Sequence, residues 1–187
     1  VAVLKLRHAA AIVGVLLALA AAPARAQASA APTEYQVKAV FLFNFSQFVD
    51  WPSASFADGR SPLVIGVLGS DPFGATLDEI VRDETVNGRP LAVRRYDSVE
   101  QIDACHILFI ERSQDERLDA VLAALKGRNV LTVGDFAGFA RRGGIIRFVT
   151  VGNKIRMHVN LAAAQEENLT ISSKLLRPAH IVAPGDD

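Results

Sequence analysis

The chain has 187 residues, with 20 Lys plus Arg against 20 Asp plus Glu, and half of it is hydrophobic. That composition suits one compact domain and excludes a disordered chain, while the zero balance gives no electrostatic footprint for nucleic acid. A single cysteine, Cys105, excludes an internal disulfide and a thiolate metal cage.

Lys5 and Arg7 precede an uncharged run from Ala9 to Ala22, closed by Pro23-Ala24-Arg25-Ala26. A basic start, about 14 apolar residues and a small-x-small site form the pattern of a secretory signal peptide. The run falls short of the roughly 20 residues that cross a bilayer. Residues 1–26 are therefore expected to be removed, with a cut after Ala28 as the alternative. The loss of Lys5, Arg7 and Arg25 turns 20 against 20 into 17 against 20, a net charge of −3. About 160 residues remain, enough for one sizeable core. Residues 27–33 read as a flexible leader and 34–183 as a single domain.

Thr33 is placed to cap a helix running from Tyr35 to Val49. Its apolar residues cover two stripes, Val37, Val40, Phe41 and Phe48 on one side and Leu42, Phe45 and Val49 on another, which predicts a mostly buried helix. Five of the ten phenylalanines fall between Phe41 and Phe56, and the only Trp, Trp51, sits among them before Pro52, which stops the helix. This aromatic segment reads as core or as interface.

Leu63 to Leu68 reads as a buried strand, Phe73 to Val81 as a helix and Leu91 to Arg95 as an alternating strand. Ile107 to Ile110 is a third strand, Asp115 to Leu125 an amphipathic helix and Val130 to Val133 a fourth strand. This rhythm predicts an α/β fold, a three-layer sandwich with a mainly parallel sheet whose crossovers are helical. Ile145 to Val151 and Lys154 to Asn160, joined by Gly152-Asn153, predict a C-terminal antiparallel hairpin. Short helices at Ala162 to Glu167 and Ser172 to Leu176 follow, and Pro178 and Pro184 mark a fraying tail.

The loop Gly69-Ser70-Asp71-Pro72-Phe73-Gly74 stands at a strand's carboxyl end, where open α/β sheets bind ligands. Asp71 and Phe73 are its candidate contacts, and a plain turn capped by Asp71 is the simpler reading. It lacks the dinucleotide fingerprint and the Walker lysine. Cys105 and His106 are neighbours on a strand and point to opposite faces, so they form no dyad. Cys105 reads as a small buried hydrophobe, with an intermolecular disulfide as the alternative.

In the second hairpin strand Ile155, Met157 and Val159 alternate with Lys154, Arg156, His158 and Asn160. Arg156 and His158 stand about 7 Å apart on the polar face and can grip a carboxylate, a phosphate or an acidic partner; the plainer reading is a solvated edge. His8, His106, His158 and His180 are scattered, so no metal site is implied. No nucleophile elbow and no carboxylate pair specifies catalysis.

Several segments, taken in order, resemble the YfiR-like family of periplasmic regulators. They are Tyr35-Gln-Val-Lys38 through Phe48-Val-Asp-Trp51-Pro52, Val67-Leu-Gly69 through Asp71-Pro72-Phe73-Gly74, Val86-Asn87-Gly88-Arg89, Cys105-His106-Ile-Leu-Phe109, Gly143-Gly144, Asn160-Leu161 and Ser172-Ser173-Lys174-Leu175-Leu176. The resemblance implies a periplasmic protein that is not an enzyme and needs no cofactor. It implies binding to the periplasmic sensor domain of an inner-membrane diguanylate cyclase, which holds the cyclase inactive and lowers cyclic di-GMP and biofilm formation. It also implies a homodimer and an outer-membrane lipoprotein as releasing partner. Some relatives carry intramolecular disulfides, which the lone Cys105 rules out here. Arg156, His158, Asn160 and Trp51 are the expected contacts with a partner or ligand, and His158 paired with an anion would respond to mild acid. The alternative is a small periplasmic ligand-binding module serving a sensor kinase or an outer-membrane receptor, with the strand-end loop and the hairpin forming its pocket.

Overall fold

The structure is a computed structural model that describes residues 32–182; the expected signal peptide, most of the leader and Pro184 lie outside them. Helix α1 (Glu34–Phe48) opens with a capping box. The Thr33 hydroxyl accepts from the Gln36 amide at 3.3 Å, and Gln36 Oε1 accepts from the Thr33 amide at 2.7 Å, which satisfies two otherwise orphaned N–H groups. The helix stops because Val49 and Asp50, as strand β1, pair antiparallel with Ile171 and Thr170 of β9. It buries one stripe, not two. Lys38, Ala39, Leu42, Phe45 and Ser46 face inward, whereas Val40 is 45 % exposed, because the sheet covers only one side.

Strand β2 (Leu63–Leu68) is buried along its whole length. It leads through α2 (Ala75–Val81) and β3 (Thr85–Val86) to β4 (Arg89–Tyr96). Then come β5 (Ile107–Ile110), α3 (Leu118–Leu125) preceded by a 3₁₀ turn at Arg112–Arg117, β6 (Leu131–Gly134), and the hairpin β7 (Ile146–Val151) and β8 (Lys154–Val159). Short α4 (Leu161–Glu166), β9 (Thr170–Ile171), α5 (Ser173–Leu176) and β10 (His180–Ile181) complete the described chain.

The main sheet runs β10-β8-β7-β6-β5-β2-β4-β3. From β4 through β7 every neighbour is parallel; β7–β8 and β3–β4 are antiparallel. One face carries Leu42, Phe45, Ile65, Val67, Phe109, Val133, Phe148 and Met157, closed by α1 and α2. The other carries Leu68, Leu108, Ile110, Leu118, Val121, Phe136 and Phe139, closed by α3 and the segment after β6. The fold is therefore the expected three-layer α/β sandwich with a mainly parallel sheet and a hairpin.

Three further details differ from expectation. The β6–β7 crossover is not a helix; Phe136 and Phe139 fill its place, with Phe139 seated over Gly134 and Gly144, where any Cβ would collide with its ring. The predicted helix at Asp115–Leu125 is a 3₁₀ turn followed by a shorter α-helix. Residues beyond Pro178 do not all fray: β10 lies parallel on β8, pairing His180 with His158 and Ile181 with Val159, and the Val182 amide donates to the Val159 carbonyl at 2.9 Å. Among the described residues no helix is long and apolar enough to cross a membrane.

Candidate functional site

The hairpin turns on Gly152, whose φ of +59° favours glycine. Its register sets Arg147 opposite His158 and Phe148 opposite Met157. Strand alternation then sends Phe148, Met157 and Val159 into the core and Arg147, Arg156 and His158 to the other face. Strand β10 extends that face, placing the exposed His180 ring 4.9 Å from His158, centroid to centroid. Across β7, the turn, β8 and β10 there are three fixed cations (Arg147, Lys154, Arg156), two histidines and no carboxylate. Arg156 is exposed and has no ion pair or side-chain hydrogen bond among the described residues. This ridge can hold an anionic group or meet an acidic surface.

Sequence reasoning reached Arg156 and His158 but missed Arg147 and His180. Arg147 was findable, since the register set by the Gly152-Asn153 turn places it directly opposite His158; His180 was not, since a two-residue strand has no periodicity. Asn160 stands apart from the ridge. Its amide Nδ2 donates to the Ala140 carbonyl at 2.9 Å and its Oδ1 caps α4 by accepting from the Ala163 amide at 3.0 Å, so both ends of the side chain are spent on the fold.

Trp51 lies at the opposite, amino-terminal edge of the parallel strands. Its indole N–H donates to the His106 carbonyl at 3.2 Å and its ring meets the His106 ring edge to face. His106 is buried: Nδ1 accepts from the Val64 amide at 3.0 Å, which leaves the proton on Nε2, 3.1 Å from the Ser55 carbonyl. Burial, with Arg89 nearby, holds its pKa below the usual 6.5 against the opposing pull of the Ser55 carbonyl. Cys105 faces the other way, against Gly66 and Tyr96, and burial pushes its thiol up to about 12. At 7 % exposure it packs as a small hydrophobe, and an intermolecular disulfide would need the strand to move.

Asp71 does not cap α2; Gly74 occupies that position. The Asp71 carboxylate instead accepts from the Phe73 amide at 2.8 Å and pairs with Arg95 at 2.8 Å, while Arg95 also grips Asp78 at 2.5 Å and the Gly74 carbonyl at 2.9 Å. Hydrogen bonding from Arg95 lowers the Asp78 carboxyl. Phe73 is in the core, edge-on to Phe109 and Tyr35. The strand-end loop, which follows β2, and the hairpin are separated in the sheet by β5 and β6, so they do not form one pocket.

A second polar feature, which the sequence did not announce, sits at the carboxyl edge near β5 and β6. A crevice of about 260 Å³ is lined by Glu34, Tyr35, Lys38, Glu111, Arg112 and Asp135. At its base Lys38, 2 % exposed, bonds Asp135 at 2.6 Å and Glu34 at 2.5 Å, and the Tyr35 hydroxyl donates to Asp135 at 3.1 Å. Burial, then the Asp135 charge, pushes the Tyr35 phenol up to about 12. Lys38 is already matched by two carboxylates, so this crevice offers no unpaired buried charge to a ligand.

No curated protein matches the sequence. Among solved structures, the chain is similar to an ABC domain in complex with L-Trp from Streptococcus pneumonia, at 12% identity and a TM-score of 0.48, covering 64% of this chain and 55% of that one. The chain thus spans about half the length of that structure, and a likeness at this level says nothing of function. Residues 35–180 match the YfiR/HmsC-like family along nearly the whole described fold, and the chain belongs to that family.

Proposed function

We propose that this protein is a periplasmic regulator without catalytic activity that binds the periplasmic sensor domain of an inner-membrane diguanylate cyclase and holds it inactive. Family membership carries this reading. The basic ridge of Arg147, Lys154, Arg156, His158 and His180, with Arg156 exposed at its centre, supplies its contact, an array suited to an acidic patch on the cyclase. Binding one conformation of the cyclase better than another is enough to regulate it, since a ligand shifts an equilibrium by its difference in affinity for the two states. A homodimer and release by an outer-membrane lipoprotein belong to the same proposal.

Calorimetry of the purified protein against the sensor domain of a cyclase encoded beside it tests the contact directly. Deletion of the gene should raise cyclic di-GMP. Absence of binding together with unchanged nucleotide levels would overturn the proposal.

A further inference from the structure

Between α1 and β2 the chain crosses the amino-terminal edge of the sheet as a strap, residues 51–61, and it is fastened at two places. Its far end is held by Arg89, whose Nη1 donates to the Asp58 carbonyl at 2.7 Å and the Ser61 carbonyl at 3.0 Å. Its near end is held by the His106 ring, which donates from Nε2 to the Ser55 carbonyl and stacks on Phe56 with centroids 4.4 Å apart. Trp51 adds the indole bond to the His106 carbonyl. The first fastener is a guanidinium, charged at every accessible pH; the second is an imidazole held neutral.

A second proton on His106 has only Nδ1 to go to, and there it meets the Val64 N–H, a donor facing a donor. It would also place an imidazolium against one face of Phe56 while Arg89 lies 3.8 Å from the centre of that same ring. Around the ring β2 contributes the Val64 amide, the strap contributes Ser55, Phe56 and Trp51, and β4 contributes Arg89; among the described residues Arg89 is the one charged side chain acting on it and no carboxylate pairs with it. The His106 backbone stays in the sheet regardless, its N–H donating to the Val64 carbonyl at 3.0 Å and its carbonyl accepting from the Leu131 amide at 2.8 Å. Protonation therefore acts on the side chain and the strap, not on the strand.

From this geometry we infer that His106 is an acid-sensitive latch, which releases the near end of the strap and uncovers the aromatic pair Trp51 and Phe56 while the sheet stays intact. The sign follows from the neutral folded form. The latch holds fully above the ordinary histidine pKa of about 6.5 and weakens as the pH falls below it. Arg89 keeps the far end seated, so the opening is confined to the Trp51–Phe56 side.

Trp51 is the only tryptophan, so its fluorescence reads the latch alone. On acidification of the intact protein from about pH 7.5 to pH 5, its emission should move to the red and its acrylamide quenching should rise severalfold, with the far-UV circular dichroism unchanged. His106→Gln, which can still accept from Val64 and donate to Ser55, should abolish the step. The His106 ring resonances, followed by NMR in the wild type, should titrate together with the Trp51 signal, which gives a second reading should the variant fold poorly. A flat Trp51 response, an equal step in His106→Gln, a His106 titration unrelated to the step, or loss of secondary structure at the same pH would each overturn the inference.

Discussion

Replacing Lys38 by Met should cost about 3–5 kcal/mol of folding stability. The ammonium is 2 % exposed, and the Asp135 side chain it neutralises is 9 % exposed, whereas Glu34 is 44 % exposed. Without the cation Glu34 can turn to water, so the cost falls on Asp135, left with the Tyr35 hydroxyl against a full buried charge. An exposed pair would cost at most about 1 kcal/mol. In a domain whose total stability is of order 5–15 kcal/mol, the loss should lower Tm by on the order of 10 °C. Urea unfolding followed by circular dichroism measures it. The double variant Lys38→Met, Asp135→Leu should recover most of the loss, because no stranded charge remains. The wild type also carries a pH term of known sign. The hydrogen bond from Lys38 lowers the Glu34 carboxyl from its ordinary 4.5, so that contribution is present above this value and lost as the pH falls through the lowered one. A loss below about 1 kcal/mol in Lys38→Met, or a double variant no more stable than the single one, would refute the assignment of Lys38 as a buried charge clamp.

Gly144→Ala should destabilise by about 1–3 kcal/mol or more, since its Cβ would enter the Phe139 ring; an unchanged urea midpoint would count against the packing described. Asn160→Ala should cost about 1–2 kcal/mol through the lost α4 cap and the orphaned Ala140 carbonyl, and anion binding at the ridge should survive it. Cys105, buried and with a thiol pushed up to about 12, should resist a thiol reagent in the folded protein and react once urea is added; equal rates in both states would contradict its burial. Arg156→Glu should leave stability within about 0.5 kcal/mol yet weaken cyclase binding at least roughly tenfold, with a shallower salt dependence. Wild-type affinity in that variant would move the contact off the ridge.

Where burial on both faces or strict alternation governs a segment, the sequence was legible. Leu63–Leu68 and Ile107–Ile110 are apolar throughout and their strands have the expected bounds; Gly152-Asn153 fixes the hairpin and with it the faces of Arg156 and His158. Features held by distant partners were not legible. Lys38 looks like any helix-surface lysine until Asp135 arrives from the end of β6. Asp71 sits where a cap belongs, but Arg95 of β4 claims its carboxylate. Strand β10 exists because β8 offers an edge, not because His180-Ile181 carries a strand pattern. The ridge was half visible for the same reason: its hairpin part is local, and its β10 part comes from across the sheet.

The packing of α1 also constrains how the chain reaches this fold. The first described helix closes its core face against Phe148 of β7, and the strand after it pairs with β9 near the far end of the chain. Part of its packing surface therefore waits for some of the last residues made, whereas α2, its most extensive neighbour, comes early. Closing so long a loop is entropically costly and slows folding. Until the hairpin forms, Phe41 and Phe45 have no Phe148 to pack against, so the hairpin-facing rings of α1 stay uncovered even where the helix already rests on α2. Early-formed chains are thus exposed to self-association at α1, and the α1–hairpin contact is expected to lock late, so weakening it should speed unfolding more than it slows folding.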